Sequence, residues 1–347
     1  DSGRAAPLIY LAEAANRTQQ FERAVAWLDA LPDGDPMTPP ALVEQSTFLF
    51  EELNRPIAGA ECLERAVRLA PMQAEARRRL VYFYAYTLQR HKMVEQAYDT
   101  IRHGCDFPET YVYLMSRDWL SFANAYDENT KWFQGNPDEE LFLVARAIYR
   151  VRTKVLDDSS EAHLDGPAEP DGTPYHRKIL AEYLQRFPRN LELLAYYLDQ
   201  ATSHGKTDDV ARLLGQAPPE AADDNRFWRY RGWLHVARGE LTDAEQCYRK
   251  AISINRYDYL TRHQLAGVLR RVKRVEEVKE LESLSHKAKE LRSQIYQLPT
   301  IDKVPPPILR KMLDFARQCG DDLAASHLAK RIDAFSGVWS ETQRKGK

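Results

Sequence analysis

The sequence predicts an all-α chain assembled from repeated antiparallel helix pairs, and three observations carry that reading. Small and apolar residues recur at a spacing of 34 over long stretches. Apolar positions follow the helical period, and no segment shows the polar–apolar alternation of a half-buried strand. Glycines, prolines and acidic doublets fall in the intervals where helix pairs need turns and caps.

The bulk numbers agree. A chain of 347 residues suits two ordinary domains or one elongated repeat array. With 44% hydrophobic and 29% charged residues the composition is that of a soluble protein. A net charge of −2 argues against a generally basic nucleic-acid binder.

The clearest repeat unit is "FWRYRGWLHVARGELTDAEQCYRKA" at 227–251. Gly232 and Ala244 stand twelve residues apart, followed by Tyr248 and Ala251, with Trp228 four residues ahead of the glycine. Small residues at such positions let two helix backbones approach, and large ones fill the space between them. A step of 34 back from Gly232 gives Leu198, then Val210, Leu214 and Ala217; a step forward gives Ala266, then Val278. Units at 191–224, 225–258 and 259–292 therefore keep one register.

The N-terminal third repeats in the same way. Leu8, Leu11, Ala12 and Ala15 share a first helix, and Ala24, Leu28 and Leu31 a second. The stretch 60–71 carries Leu63, Ala66, Val67 and Leu69 before Pro71, which ends the helix. A unit at 74–107 carries Leu80, Val81, Tyr84, Ala97, Tyr98 and Ile101. A last unit at 305–338 opens on three prolines before Ile308, Met312 and Phe315, with Ala324 and Leu328 following.

The middle is irregular. Residues 108–136 are helical and aromatic-rich but off register, and a long amphipathic helix follows. Residues 157–174, rich in Gly, Pro, Ser and Asp, read as an exposed loop inside one hairpin. The expected organisation is N-terminal repeats at 1–107, irregular hairpins with that insertion at 108–190, three in-register repeats at 191–292, and a C-terminal hairpin, cap and tail at 293–347.

The 227–251 unit resembles the tetratricopeptide repeat, W-x2-L-G-x2-Y followed by A-x3-F and a further alanine. Arg231 replaces the leucine, His235 the tyrosine, Tyr248 the phenylalanine and Arg256 the closing proline. The resemblance implies a right-handed superhelical solenoid of helix-turn-helix repeats. It also implies a concave groove, lined by the first helix of each unit, that holds a partner protein or peptide.

Residues that stand out from the packing register are the candidate groove. They are Arg78, Tyr82 and Tyr86, then Glu192, Asp199 and Ser203, then Arg226, Arg229 and Trp233, then His263, Arg270 and Arg271. Tyrosine, tryptophan and arginine are common interface anchors. One subtype of the family grips a C-terminal carboxylate with Lys and Asn at the fifth and ninth positions. Here those positions read Ile9/Glu13, Glu44/Phe48, Arg78/Tyr82, Ala195/Asp199 and Arg229/Trp233, which is not that clamp.

The expected role is a non-catalytic interaction scaffold within a larger complex, with no cofactor and no metal. Nucleic acid is not the expected partner. The alternative is nucleic-acid or anionic-polymer binding through the Arg-rich face of 226–274, where "RRVKR" at 270–274 is the strongest basic run.

Other motifs read as structure. Gly205-Lys206-Thr207 has the tail of a phosphate-binding loop, but Gln200 stands where the signature needs glycine, and a helix precedes it. It reads as a turn between helices. The doublets Asp208-Asp209, Asp223-Asp224 and Asp321-Asp322 read as helix caps rather than acid–base pairs. Nothing pairs a nucleophile with a histidine, and His91, His103, Cys105, His163 and His176 form no metal-ligand spacing. Cys62 and Cys247 read as small buried thiols on second helices.

No apolar run reaches the roughly 20 residues of a membrane helix. The stretch "LFLVARAIY" at 141–149 is the nearest, and Arg146 interrupts it. The chain opens on Asp1 without methionine, so a preceding segment is expected, and the compartment stays open between cytoplasmic and exported or membrane-anchored periplasmic.

Overall fold

The computed structural model describes residues 5–119, 124–154 and 175–345, and every regular element among them is helical. The 157–174 insertion and His163 lie outside the described residues. The chain divides into two compact units, Asp1–Thr110 with Phe122–Arg146 and Tyr111–Ser121 with Ala147–Lys347.

The first unit begins with α1 (Ala5–Arg17) packed on α2 (Phe21–Asp29). Next come α3 (Thr38–Thr47), extended by a π-helical turn at Phe48–Glu52, and its partner α4 (Pro56–Leu69). α5 (Ala74–Tyr86) pairs with α6 (Arg90–Arg102). Ala12, Ala24, Leu28, Leu63, Leu80, Ala97 and Ile101 are all buried, as the repeat spacing requires. α7 (Pro108–Ser116) and α9 (Glu140–Lys154) each cross the boundary between units, and α8 (Ala125–Gly135) lies wholly in the first. α8 does not follow the repeat; it is held by a chain of tilted and edge-on rings, Phe50, Phe83, Trp132 and Phe142, with neighbouring centroids 5.6–5.7 Å apart.

The second unit continues with α10 (Tyr175–Arg186) and then three regular hairpins. These are α11 (Leu191–Ser203) with α12 (Thr207–Gln216), α13 (Asn225–Ala237) with α14 (Leu241–Ile254), and α15 (Tyr259–Arg271) with α16 (Val275–Tyr296). Their first helices start at residues 191, 225 and 259, so the 34-residue register is preserved in space.

Two backbone devices repeat with it. Asn190, Asp224 and Asp258 each precede a first helix, and each side chain accepts a hydrogen bond from an amide of that helix's first turn. Gly205, Gly239 and Lys273 each follow one, with φ of +69°, +80° and +62°, the left-handed conformation that turns the chain into the second helix. Gly205-Lys206-Thr207 is therefore a turn, as its register predicts.

The close approach foreseen at Gly232 is real. A Cβ there would lie 2.5 Å from Tyr248 Cε1, and Ala244, Tyr248 and Ala251 are buried beside it. The register then lapses: α16 runs for 22 residues because Leu284, Ala288, Leu291 and Ile295 continue its apolar stripe. α17 (Pro306–Gln318) starts with proline in its first turn and packs on α18 (Asp322–Lys345), which Asp321 caps through the amide of Ala324.

Candidate interaction surface on the first helices

The register brings the second residue of one unit against the second residue of the next. Glu192 on α11 and Arg226 on α13 meet in a bidentate ion pair, with Nη2 to Oε1 at 2.6 Å and Nη1 to Oε2 at 3.1 Å. Asp224 adds a second carboxylate to the same guanidinium at 2.6 Å. Arg226 is 2% exposed, so the expectation of a groove-facing side chain is corrected. Burial alone lowers an arginine's pKa, but the Asp224 and Glu192 carboxylates outweigh it and hold Arg226 well above its ordinary value.

Arg229 is corrected in the same way, at 5% exposed. Its Nη1 donates to Asp258 Oδ2 at 3.1 Å and lies 3.8 Å from Asp118 Oδ2. Around it is a buried polar hub. The Asn225 amide nitrogen donates to both Asp118 Oδ2 and Asp258 Oδ2 at 2.8 Å, and Asn255 donates to Asp118 at 2.9 Å. Asp258 also accepts the backbone amide of Thr261 at 2.9 Å while capping α15.

The two carboxylates of the hub diverge electrostatically. Burial pushes Asp258 upward, yet Arg229, the Thr261 hydrogen bonds and Asn225 outweigh it and hold the group below the ordinary carboxylate range. Burial and the nearby Asp258 charge push Asp118 above that range, against the opposing pull of Arg229 and Arg117. Arg117 ties the irregular segment down by donating to the carbonyl of Ile254 at 2.5 Å. The Arg–carboxylate pairs of this region thus join consecutive repeats to one another.

The remaining groove candidates separate by exposure. In the first unit, Tyr86 is buried, its hydroxyl paired with Asn124 and its carbonyl accepting from Asn129 at 2.8 Å. Half-buried Tyr82 stacks on it with centroids 3.8 Å apart. Arg78, also half-buried, pairs with Glu109 at 2.6 Å and lies over the Phe107 ring. In the second unit, Asp199 is exposed and accepts the Tyr230 hydroxyl at 2.7 Å. Trp233 leaves part of its indole in solvent while packing against the core of α11–α13. His263, Arg270 and Arg271 are exposed, and Arg270 pairs with Glu282.

The aromatic–arginine stretch at 227–233 divides differently from the motif's implication. Phe227 and Tyr230 form the buried face, packed with Leu234 against the preceding unit. Trp228 lies at the rim instead, its indole donating to the carbonyl of Ala222 at 2.8 Å and its ring under Arg231. Glu192, placed in the groove by position, is buried against Arg226. The missed residues were Asn225, Asn255, Asp118 and Asp258. The signal that finds part of this hub is the Asn/Asp/Asp series at 190, 224 and 258, spaced by 34.

Among the described residues one histidine–carboxylate group is close enough to share an ion: His235, Glu240 and Asp243 at the α13–α14 turn. His235 Nδ1 and Glu240 already satisfy each other at 2.6 Å, and both acidic groups are exposed. Cys247 is buried and Cys62 half-buried, and burial pushes the Cys62 thiol up to about 12, so it is protonated at neutral pH. No helix among the described residues is long and apolar enough to cross a membrane.

No family model matches the sequence, and no curated protein matches it. Among solved structures it is similar to a tetratricopeptide repeat protein from Parabacteroides merdae, at 14% identity over 76% of this chain and 98% of that one, with a TM-score of 0.33. It is similar to yeast Tom70 at 12% identity, over 94% and 76% of the two chains, with a TM-score of 0.32. The Cut9–Hcn1 hetero-tetramer of the APC/C is a third, at 14% identity over 96% and 80%, with a TM-score of 0.36. Scores at this level carry no residue-by-residue correspondence. The chain is a TPR-like helical-repeat protein by its own hairpins, 34-residue register and Gly232–Tyr248 contact.

Proposed function

We propose that the chain is a non-catalytic scaffold that holds a partner protein or peptide against its first helices. The carrying observation is on α13: Arg226, Arg229 and Trp233 share one face of the helix, and where ion pairs bury and fix the two arginines, Trp233 keeps part of its side chain in solvent. A partly exposed tryptophan on a rigid support is a good interface anchor, because little side-chain freedom is left to lose on binding.

On this reading the contact residues of the second unit are Asp199, Trp233, His263, Arg270 and Arg271. In the first unit Arg78 and Tyr82 play the same part on α5. Arg226, Arg229, Glu192 and Tyr86 are supports, not contacts.

The anionic-polymer reading of 226–274 finds less support. Arg226 and Arg229 are buried and neutralised, and Arg274 is shared by Glu245 and Glu277. A partner held by phosphate contacts would be lost steeply on raising salt. The scaffold reading expects capture that survives 0.5 M salt but is lost in Trp233→Ala; equal recovery by the variant counts against it.

A further inference from the structure

The turn that resembles the tail of a phosphate-binding loop opens onto a feature that the first-helix face does not include. A half-open cleft of about 320 Å³ lies among α10, α11 and the start of α12, all within the second unit. Tyr196 and Tyr197 form one wall, edge to face with centroids 5.2 Å apart, and Ala201 and Leu213 close the apolar floor. Arg177, Lys206 and Arg212 stand at its margin on three different segments.

The charge at the cleft is unbalanced. Asp209 is the acidic residue of its lining, and it pairs with Arg212 at 3.2 Å. Neither Arg177 nor Lys206 has a carboxylate partner among the described residues, and both are exposed. Gly205 sets this geometry: its left-handed φ of +69° turns the chain so that Lys206 directly precedes α12 at the cleft.

We propose that this cleft is a second docking site, for a partner segment in which an acidic residue adjoins an aromatic one. The ring packs between the tyrosines and the apolar floor, and the carboxylate meets Arg177 and Lys206. Charge complementarity selects the acidic group. The open side selects a segment over a free small molecule, since ligand pockets for small molecules enclose most of the ligand's surface. The site shares α11 with the Trp233 face but none of that face's contact residues, so either assignment can fail alone.

Calorimetric titration of the full chain tests it with three probes: acetyl-Gly-Asp-Phe-Asp-Gly-amide, the same peptide with Asn for both Asp, and phenylacetate. The expected result is saturable one-site binding of the acidic peptide, at least tenfold weaker for the Asn peptide and for phenylacetate. Arg177→Glu/Lys206→Glu should weaken the acidic peptide at least tenfold with an unchanged circular dichroism spectrum, and the neutral Lys206→Gln should weaken it in the same direction. No binding of the acidic peptide, or binding indifferent to these charge changes, overturns the site. Phenylacetate binding as tightly as the peptide overturns the choice of a polypeptide occupant.

Discussion

Arg229 and Asp258 meet at 3.1 Å where one repeat hands over to the next, and both are buried. The arginine comes from the first helix of one unit and the aspartate from the cap of the next. An interaction that looks like a binding patch in sequence is thus a joint between repeats. Arg229→Met should destabilise the chain by about 3–5 kcal/mol in urea unfolding, because it strands buried carboxylates. A loss below about 1 kcal/mol, the range of an exposed ion pair, would mean that the joint is solvated.

The pH dependence follows from the opposed shifts in the hub. Asp258 is held below the ordinary carboxylate range, so its stabilising contribution is complete above that range and is lost as pH falls through it toward the lowered value. Asp118 is raised, so the folded state keeps its proton longer than the unfolded chain does. Its contribution falls as pH rises from the ordinary range through the raised value. Relative to wild type, Asp258→Asn should therefore lose stability as pH is raised through the window below about 4 and stay level above it, whereas Asp118→Asn should gain stability as pH is raised above about 4. Parallel stability–pH curves for the two variants would contradict the assignment.

Gly232 touches Tyr248 so closely that a methyl group cannot enter without moving the ring. Gly232→Ala should cost about 1–3 kcal/mol, as overpacked cores do. In a Tyr248→Ala background the same change should cost at least about 1 kcal/mol less, since the clashing atoms are gone. Additive losses would place the strain elsewhere.

The left-handed turn residue at 205, 239 and 273 is glycine twice and lysine once. Lys273→Gly should stabilise the chain by about 0.5–1 kcal/mol, whereas Gly239→Ala should destabilise it by about 1 kcal/mol. Thermal melts of the pair check this. The same sign for both would show that the turn conformation is not what sets their stability.

These contrasts show how much the sequence discloses. Gly232, Ala244, Tyr248 and Ala251 are legible because close helix packing demands small and large residues at fixed offsets. Arg226 and Arg229 are misread for a physical reason: position in a repeat predicts which way a side chain points, not whether the neighbouring unit brings a carboxylate to meet it. Asp118 is harder still, since it comes from the off-register segment 117–119 and reaches its partners more than a hundred residues along the chain. The length of α16 was hidden because an apolar stripe carries no mark of where the repeat ought to end.

The central claim is that the partly exposed residues of the first helices, not the buried arginines beside them, hold a partner. Arg229→Glu cannot test it, because that change dismantles the hub. The most direct measurement is quantitative partner recovery by wild type and by Trp233→Ala/His263→Glu, with unfolding curves showing that the variant keeps its stability. The account predicts loss of at least tenfold in recovery at 0.5 M salt. Recovery equal to wild type by a stably folded variant would contradict it.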